Sequence, residues 1–527
     1  MKDRFQQSVF FGTMVKVLQG GLIIMIRSAG ILMPVTSLPS PYGVGTLGQA
    51  AKDFIDYLAD GGQTYWQMLP LGPTGYGNSP YQALSSYAGS TYLIDLDELI
   101  SDGLLKKEEV KAVKWEKHPD VTDYGILYNE RNKILKLAAD RLPYVHPEDY
   151  FTFLENEKSW LRDYAVFMAI KADMKGEPWQ KWPQELRRHD SWETARKAEE
   201  LAEEVIFWQR VQYFFWKQMT AIKDYAVKRG IKIIGDLPFY IAADSIDVWS
   251  HPEAFEMDYN NNMLYVSGFG PDGAHPKGQK WGNPLVNWEY QRNTGYSWWI
   301  DRVAHMCRIF DVIRIDHFQG YLSYYAVPAE DPDASRGHWR RGPGLEVFRR
   351  MEEKLGGKQL ILEDLGQLTD ELKALVKESG QPGMKIMQYA FDPNDPGSYY
   401  MPFQYEKNSV VYTGTHDNDT LIGWKNAKEN KARIERAKEF LGLNKEEGFT
   451  WGMLRAVYAC QSDLAIVQMQ DLLELDSKAR FNDPSGKQPA WTWRALPGCF
   501  DSKTSAKLKE KMLLYCRYNW NITEKEA

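Results

Sequence analysis

A (β/α)8 barrel carrying inserted, mainly helical subdomains is the fold class this sequence predicts, and three observations predict it. The chain has 527 residues, which calls for either several domains or one large barrel with insertions, and with no internal repeat, low-complexity tract or obvious linker it reads as one barrel. Eight short apolar or β-branched runs recur along it, separated by stretches of helical periodicity. Four of those runs are closed by acids, and the C-terminal ends of barrel strands are where polar residues converge.

Taken in order, the N-terminus stands apart from the rest. Residues 15–33 are fairly apolar but broken by Lys16, Gln19, Gly20, Gly21 and Arg27, which excludes a good membrane span. Ile31-Leu32-Met33-Pro34 then runs straight into the first strand with no small-residue cleavage site, so secretion is disfavoured and a cytoplasmic enzyme is expected. Gln19-Gly20-Gly21 is what a bacterial ribosome-binding sequence, CAAGGAGGT, would encode three codons before Met25. Residues 1–27 are therefore read as an N-terminal extension whose first 24 residues are not native. The alternative, a real helix using Phe10, Phe11, Leu22 and Ile23 against the barrel, stays open.

Residues 28–527 are read as a single catalytic barrel, with strands at 30–35, 64–69, 232–236, 312–316, 359–363, 385–389, 410–413 and 464–468. A helix with Val211, Phe215, Met219 and Ile222 on one face precedes the third. The gap between the second and third strands far exceeds an ordinary crossover, which predicts a helical insertion over about 98–205. Asn156, Trp160, Asp163, Tyr164 and Phe167 are placed on one of its helices, and Trp182-Pro183 at the end of another. Residues 250–299, rich in Gly, Pro and Asn, read as a structureless lid or binding loop.

Composition narrows the partners. A net charge of -7 argues against a nucleic-acid partner, whose binding wants a clustered excess of Lys and Arg, so a neutral ligand is expected. Trp 19, Tyr 30 and Phe 22 make an unusually aromatic chain, and ring faces complement both a core and the C–H faces of sugars. Cys307, Cys460, Cys499 and Cys516 show no metal-ligand spacing and read as reduced thiols.

The acids carry the chemistry. "IIGDLPFY" ends on Asp236, "DVIRIDHF" on Asp316 with Arg314 and His317, "LILEDLG" on Glu363, and "VVYTGTHDN" on His416 and Asp417. One such carboxylate is commonly a helix cap, but four at one mouth would be costly without a function. Metal-assisted hydrolysis would need ligand geometry, and neither HxH nor HExxH occurs. Retaining glycoside cleavage needs two carboxyls about 5 to 5.5 Å apart, which acids ending adjacent strands can supply. Arg314, two residues before Asp316 and so on the same strand face, would keep that acid ionised.

"RIDHF" (314–318), "LEDLG" (362–366) and "THDN" (415–418) resemble, in this order, the three acid motifs of the α-amylase clan. "SLPSPYGVGTLG" (37–48), "LGPTGYGNSPYQ" (71–82), "GDLPFYIAADSIDVW" (235–249), "GQKWGNPLVNW" (278–288) and "NDPSGKQPAWTWR" (482–494) resemble its 4-α-glucanotransferase family, the amylomaltases or disproportionating enzymes. The resemblance implies Asp316 as nucleophile, Glu363 as general acid and base, and Asp417 as a third acid that grips the sugar. It implies Tyr81 stacking on the sugar, Asp236, His317 and His416 on its hydroxyls, Gln279 and Trp281 in a lid, and Asn482 near the same cleft. Tyr76 is similar to a residue of a second glucan-binding groove. No metal or cofactor is implied, and the implied partners are maltooligosaccharides and α-1,4-glucans. Two departures stand out: Gly273 to Lys277 lacks the family's usual aromatic lid tip, and Asp483-Pro484-Ser485-Gly486 replaces Thr-Pro-Gly. An α-glucan hydrolase with the same acids, and a non-catalytic glucan-binding protein, remain as alternatives.

Overall fold

The computed structural model describes residues 26–524 apart from residues 76, 146, 274, 367, 485, 487 and 488. In chain order its strands are β1 (Ser28–Leu32), β2 (Tyr65–Gln67), β3 (Lys232–Leu237), β4 (Tyr265–Phe269), β5 (Gln279–Pro284), β6 (Val312–Ile315), β7 (Ser323–Pro328), β8 (His338–Arg341), β9 (Gln359–Leu362), β10 (Gly383–Ile386), β11 (Ser409–Tyr412) and β12 (Leu464–Gln468). Eight of them close a barrel in the order β1-β12-β11-β10-β9-β6-β3-β2, every pairing parallel. These are the eight runs marked by the sequence. β1, β6, β10, β11 and β12 are buried at every residue, as strands walled by helices on the outside must be.

Two strands, β1 and β10, end three residues before the expected boundary. β1 stops at Leu32 because Pro34 has no N–H to offer the ladder, and Val35–Ser37 turns into a 3-10 helix. β10 starts earlier than residue 385 and ends at Ile386; Met387–Tyr389 is a 3-10 turn rather than strand.

Amphipathic helices pack the barrel from outside. Gln49–Asp60 buries Ala51, Phe54, Ile55 and Leu58, one stripe at helical spacing, and sets Phe54 edge-on to Trp66 with centroids 5.1 Å apart. Between β2 and β3 the chain forms Leu96–Ser101, Lys107–Lys111, Tyr124–Arg141, Pro147–Asn156, Leu161–Asp173 and Trp192–Glu200 before the long helix Ala202–Lys228. Asn156 and Trp160 do not share a helix with Asp163, Tyr164 and Phe167, contrary to expectation. The break falls at Glu157, a buried acid that accepts from Trp160 Nε1 (2.8 Å) and pairs with Arg308 (2.5 Å), so long-range charge pairing overrides a continuous helical pattern.

Residues 250–299 are not structureless. They contain β4, β5 and the helices Trp288–Asn293 and Ser297–Met306, and β4 and β5 join β7 and β8 in an antiparallel sheet ordered β5-β4-β7-β8. Sequence periodicity misses this sheet for two reasons. Its β4–β5 register shifts between Val266 and Gly268, and its own small core is Val266 of β4, Tyr325 and Val327 of β7, and Ala334 of the loop after β7, which are distant in sequence from β4. Among the described residues no helix is long and apolar enough to cross a membrane.

Candidate active site

Strand register assembles the site. β3 and β6 pair Asp236 with Arg314, and β6 and β9 pair Ile315 with Leu362, so the next residues, Asp316 and Glu363, stand side by side. Neighbouring strands lie ~4.8 Å apart. The ladder continues past the strand ends, with N–H donors of Asp316 to Leu237 O (3.1 Å), Glu363 to Ile315 O (3.0 Å) and Phe318 to Glu363 O (2.9 Å).

The two acids sit in opposite electrostatic settings. Arg314 Nη1 donates to both oxygens of Asp236 (2.8 Å each) and to Asp316 Oδ1 (3.0 Å). Burial works against the guanidinium, yet Asp236, Tyr81 and Asp316 hold it charged well above its ordinary range. Asp316 keeps 25% of its side chain open to the cleft while Arg314 and Asp236 are buried. For Glu363, burial pushes the carboxyl up to about 8, Arg314 opposes the rise and Asp316 adds to it. Its oxygens accept from the N–H of His317 (2.7 Å) and of Leu365 (3.2 Å). His317 takes a left-handed φ of 47°, a conformation costing roughly 1–3 kcal/mol in a non-glycine residue, in the turn that presents its N–H to Glu363.

Around these acids lie the other residues singled out in the sequence. Asp417 follows β11, receives a bond from Asn482 Nδ2 (2.6 Å), and lies 3.2 Å from His416 Nε2. Burial favours its neutral form, but His416 and Asn482 outweigh that and hold the carboxyl well below the usual carboxylate range. The side chain is nonetheless 44% exposed, so it reaches into the cleft. Tyr81 donates to Asp236 Oδ2 (2.9 Å) and stacks on His416 with centroids 5.0 Å apart. The His317 ring is packed by Phe239, Tyr240 and, edge-on at 5.4 Å, Trp281; burial lowers its pKa against the pull of Asp316. Trp281 is 39% exposed, and its Nε1 donates to Gln279 Oε1 (3.2 Å). β5 thus brings Gln279 and Trp281 to the end of β6. Tyr76 lies outside the described residues.

Sequence reasoning misses three rings at this mouth. Tyr240 lies 5.5 Å from His317, and Trp491, at φ 65°, lies 5.9 Å from His416 and 6.1 Å from Tyr81. Tyr389 lies beside Asn418, Asp417 and Glu363 and is 38% exposed. Tyr389 closes the sixth apolar run and Trp491 falls within "AWTWR", so both carry a signal; Tyr240 carries only its nearness to Asp236. Among the described residues no group of three His, Cys, Asp or Glu side chains could hold a metal ion. An acid held by a guanidinium beside an acid that keeps its proton is the pairing that retaining glycosidic cleavage uses.

Known proteins resemble this chain over nearly its whole length. The family model described as 4-alpha-glucanotransferase matches residues 33–498. The chain belongs to the 4-alpha-glucanotransferase family. Its relatives include the 4-alpha-glucanotransferase of Clostridium butyricum, 41% identical over 486 residues and spanning 92% of this chain and 100% of the relative. That of Streptococcus pneumoniae is 40% identical over 506 residues, spanning 94% and 99%. The solved structure of the amylomaltase from Streptococcus agalactiae in complex with acarbose superposes with a TM-score of 0.89 at 36% identity, covering 93% of this chain and all of that one. Family membership makes this chain an enzyme of the 4-alpha-glucanotransferase class on a (β/α)8 barrel.

Proposed function

We propose that this family member moves segments of α-1,4-glucan from a donor to the 4-hydroxyl of an acceptor glucan or glucose, by a retaining double displacement. Asp316 attacks the anomeric carbon while Glu363 gives its proton to the departing glycosidic oxygen; the bond to Asp316 forms as the glycosidic bond breaks. Glu363, now a carboxylate, then takes the proton from the acceptor 4-hydroxyl as that oxygen displaces Asp316. Asp417 grips the ring hydroxyls in the transition state, with Asp236, His317 and His416 completing the hydroxyl contacts and Tyr81 stacking on the ring. Gln279 and Trp281 hold the acceptor and exclude water from the glycosyl-enzyme. The cytoplasm is the proposed location, in keeping with four free cysteines.

One observation supports this reading: Asp316 and Glu363 are lateral neighbours just past the ends of β6 and β9, yet Arg314 hydrogen-bonds the first while burial favours the proton on the second. Maltotriose alone tests it. Glucose plus a ladder of longer maltooligosaccharides is expected; glucose and maltose without a ladder at high donor concentration would leave hydrolysis as the function.

A further inference from the structure

Asp471 takes no part in the chemistry just described, and it is 1% exposed in the short helix Met469–Leu472 that follows β12. Such a carboxylate is costly to bury, so its partners should explain why it is there. Its Oδ2 accepts from Thr413 Oγ1 (2.7 Å) and its Oδ1 from the Leu421 N–H (2.7 Å). Thr413 is the first residue after β11, and Leu421 opens the helix Leu421–Asn426. Between those two anchors runs the loop of residues 414–420, which contains His416 and Asp417.

That loop has little room to settle elsewhere. Its interior is a turn closed by Asn418 Oδ1, which accepts from Thr415 N–H (2.8 Å) and Oγ1 (3.0 Å). On its floor, a Cβ at Gly414 would meet Gln388 Nε2 and Gln468 Nε2 at 2.9 Å. Its far side is held by Arg480 Nη2 on Asp417 O (3.0 Å) and by Asn482 N–H on His416 O (3.1 Å). Asp471 ties the point where the loop leaves β11 and the point where it enters the next helix to one side chain, each through a separate oxygen.

We infer that Asp471 is a positioning residue for the reaction: by clamping both ends of the 414–420 loop to the end of β12 it fixes Asp417 against the sugar ring. The inference rests on the proposed role of Asp417 in gripping the transition state. Misplacing a reacting group by about 1 Å can cost on the order of 10²-fold in rate even when the substituted residue never touches the substrate. Because a Thr hydroxyl both donates and accepts, an amide at 471 can satisfy both anchors, its oxygen taking the Leu421 N–H and its nitrogen giving to Thr413.

Steady-state kinetics on maltotriose with the full-length enzyme tests this, alongside thermal unfolding. Asp471→Ala is expected to lower kcat by roughly 10²-fold with KM within about threefold, whereas Asp471→Asn keeps kcat within about tenfold of the wild type. Thr413→Val, which removes one anchor at constant size, is expected to lower kcat by about tenfold and covers the case in which the alanine variant does not fold. Combined with Asp417→Asn, Asp471→Ala should cost nothing further, since its effect runs through Asp417. A wild-type kcat in Asp471→Ala or Thr413→Val overturns the inference, as does a loss confined to KM, or an asparagine variant as impaired as the alanine one. If instead Asp417→Asn by itself stays active, the role of Asp417 is what has failed, and the clamp has nothing to position.

Discussion

Glu363→Gln keeps the size of the side chain and removes its ability to ionise, so it tests the protonation of this acid separately from its packing. Burial, opposed by Arg314 and reinforced by Asp316, sets the wild-type carboxyl at about 8 against an ordinary 4.5. A raised folded-state pKa stabilises the fold fully below pH 4.5, and that contribution is lost as pH climbs through about 8, because only the unfolded chain has released its proton. The pKa interval is 8 minus 4.5, or about 3.5, and at ~1.4 kcal/mol per unit it sets an upper figure of about 5 kcal/mol. Glu363 is only part-buried, and cleft water screens its charge, so a loss of ~2 kcal/mol is expected in practice. The amide escapes that loss but sets an N–H₂ against the N–H of His317 or Leu365, a penalty of roughly 1–3 kcal/mol that does not vary with pH. Urea unfolding of both proteins at pH 5 and pH 9 isolates the pH-dependent part. The variant should gain ~2 kcal/mol on the wild type between the two conditions. Its turnover of maltotriose should collapse, while α-glucosyl fluoride, whose leaving group needs no proton, still glycosylates Asp316. An unchanged stability difference at the two pH values would refute the raised pKa. Glucosyl fluoride reacting no faster than maltotriose would refute the proton-donor role.

The same proton predicts an alkaline limb in the pH–rate profile near the value set by burial, about 8, and a limb at the ordinary carboxylate range instead would contradict it. Asp316→Asn should reduce turnover by roughly 10⁴-fold or more with an unchanged circular dichroism spectrum, because Arg314 keeps both bonds to Asp236; near wild-type activity would rule out the nucleophile. Trp281→Ala should shift the partition from transfer toward hydrolysis by about tenfold, since one stacked ring is worth roughly 1.4 kcal/mol, and an unchanged product ratio would refute the acceptor role of β5.

The sequence by itself determined the barrel and the acids. Parallel strands walled by helices are near-continuous apolar runs, so each is visible locally, and the residue near its end is placed at the mouth by the fold rule alone. Asp236, Asp316, Glu363 and Asp417 could therefore be read from strand ends, and the order of the motifs led to the family. The tertiary structure decided what depends on partners remote in the chain. The β5-β4-β7-β8 sheet exists because β7 pairs with β4, which local periodicity within residues 250–299 cannot encode. The proton on Glu363 depends on burial and on Arg314 and Asp316 across β6, none of which follows from "LEDLG". Asp471 lies in the sequence as one more acid after an apolar run, and only the closing of β12 against β11 brings its two oxygens to Thr413 and Leu421. A local pattern reports which face a residue shows to the core; hydrogen bonds and electrostatic fields depend on distance in space, and chain closure alone sets those distances.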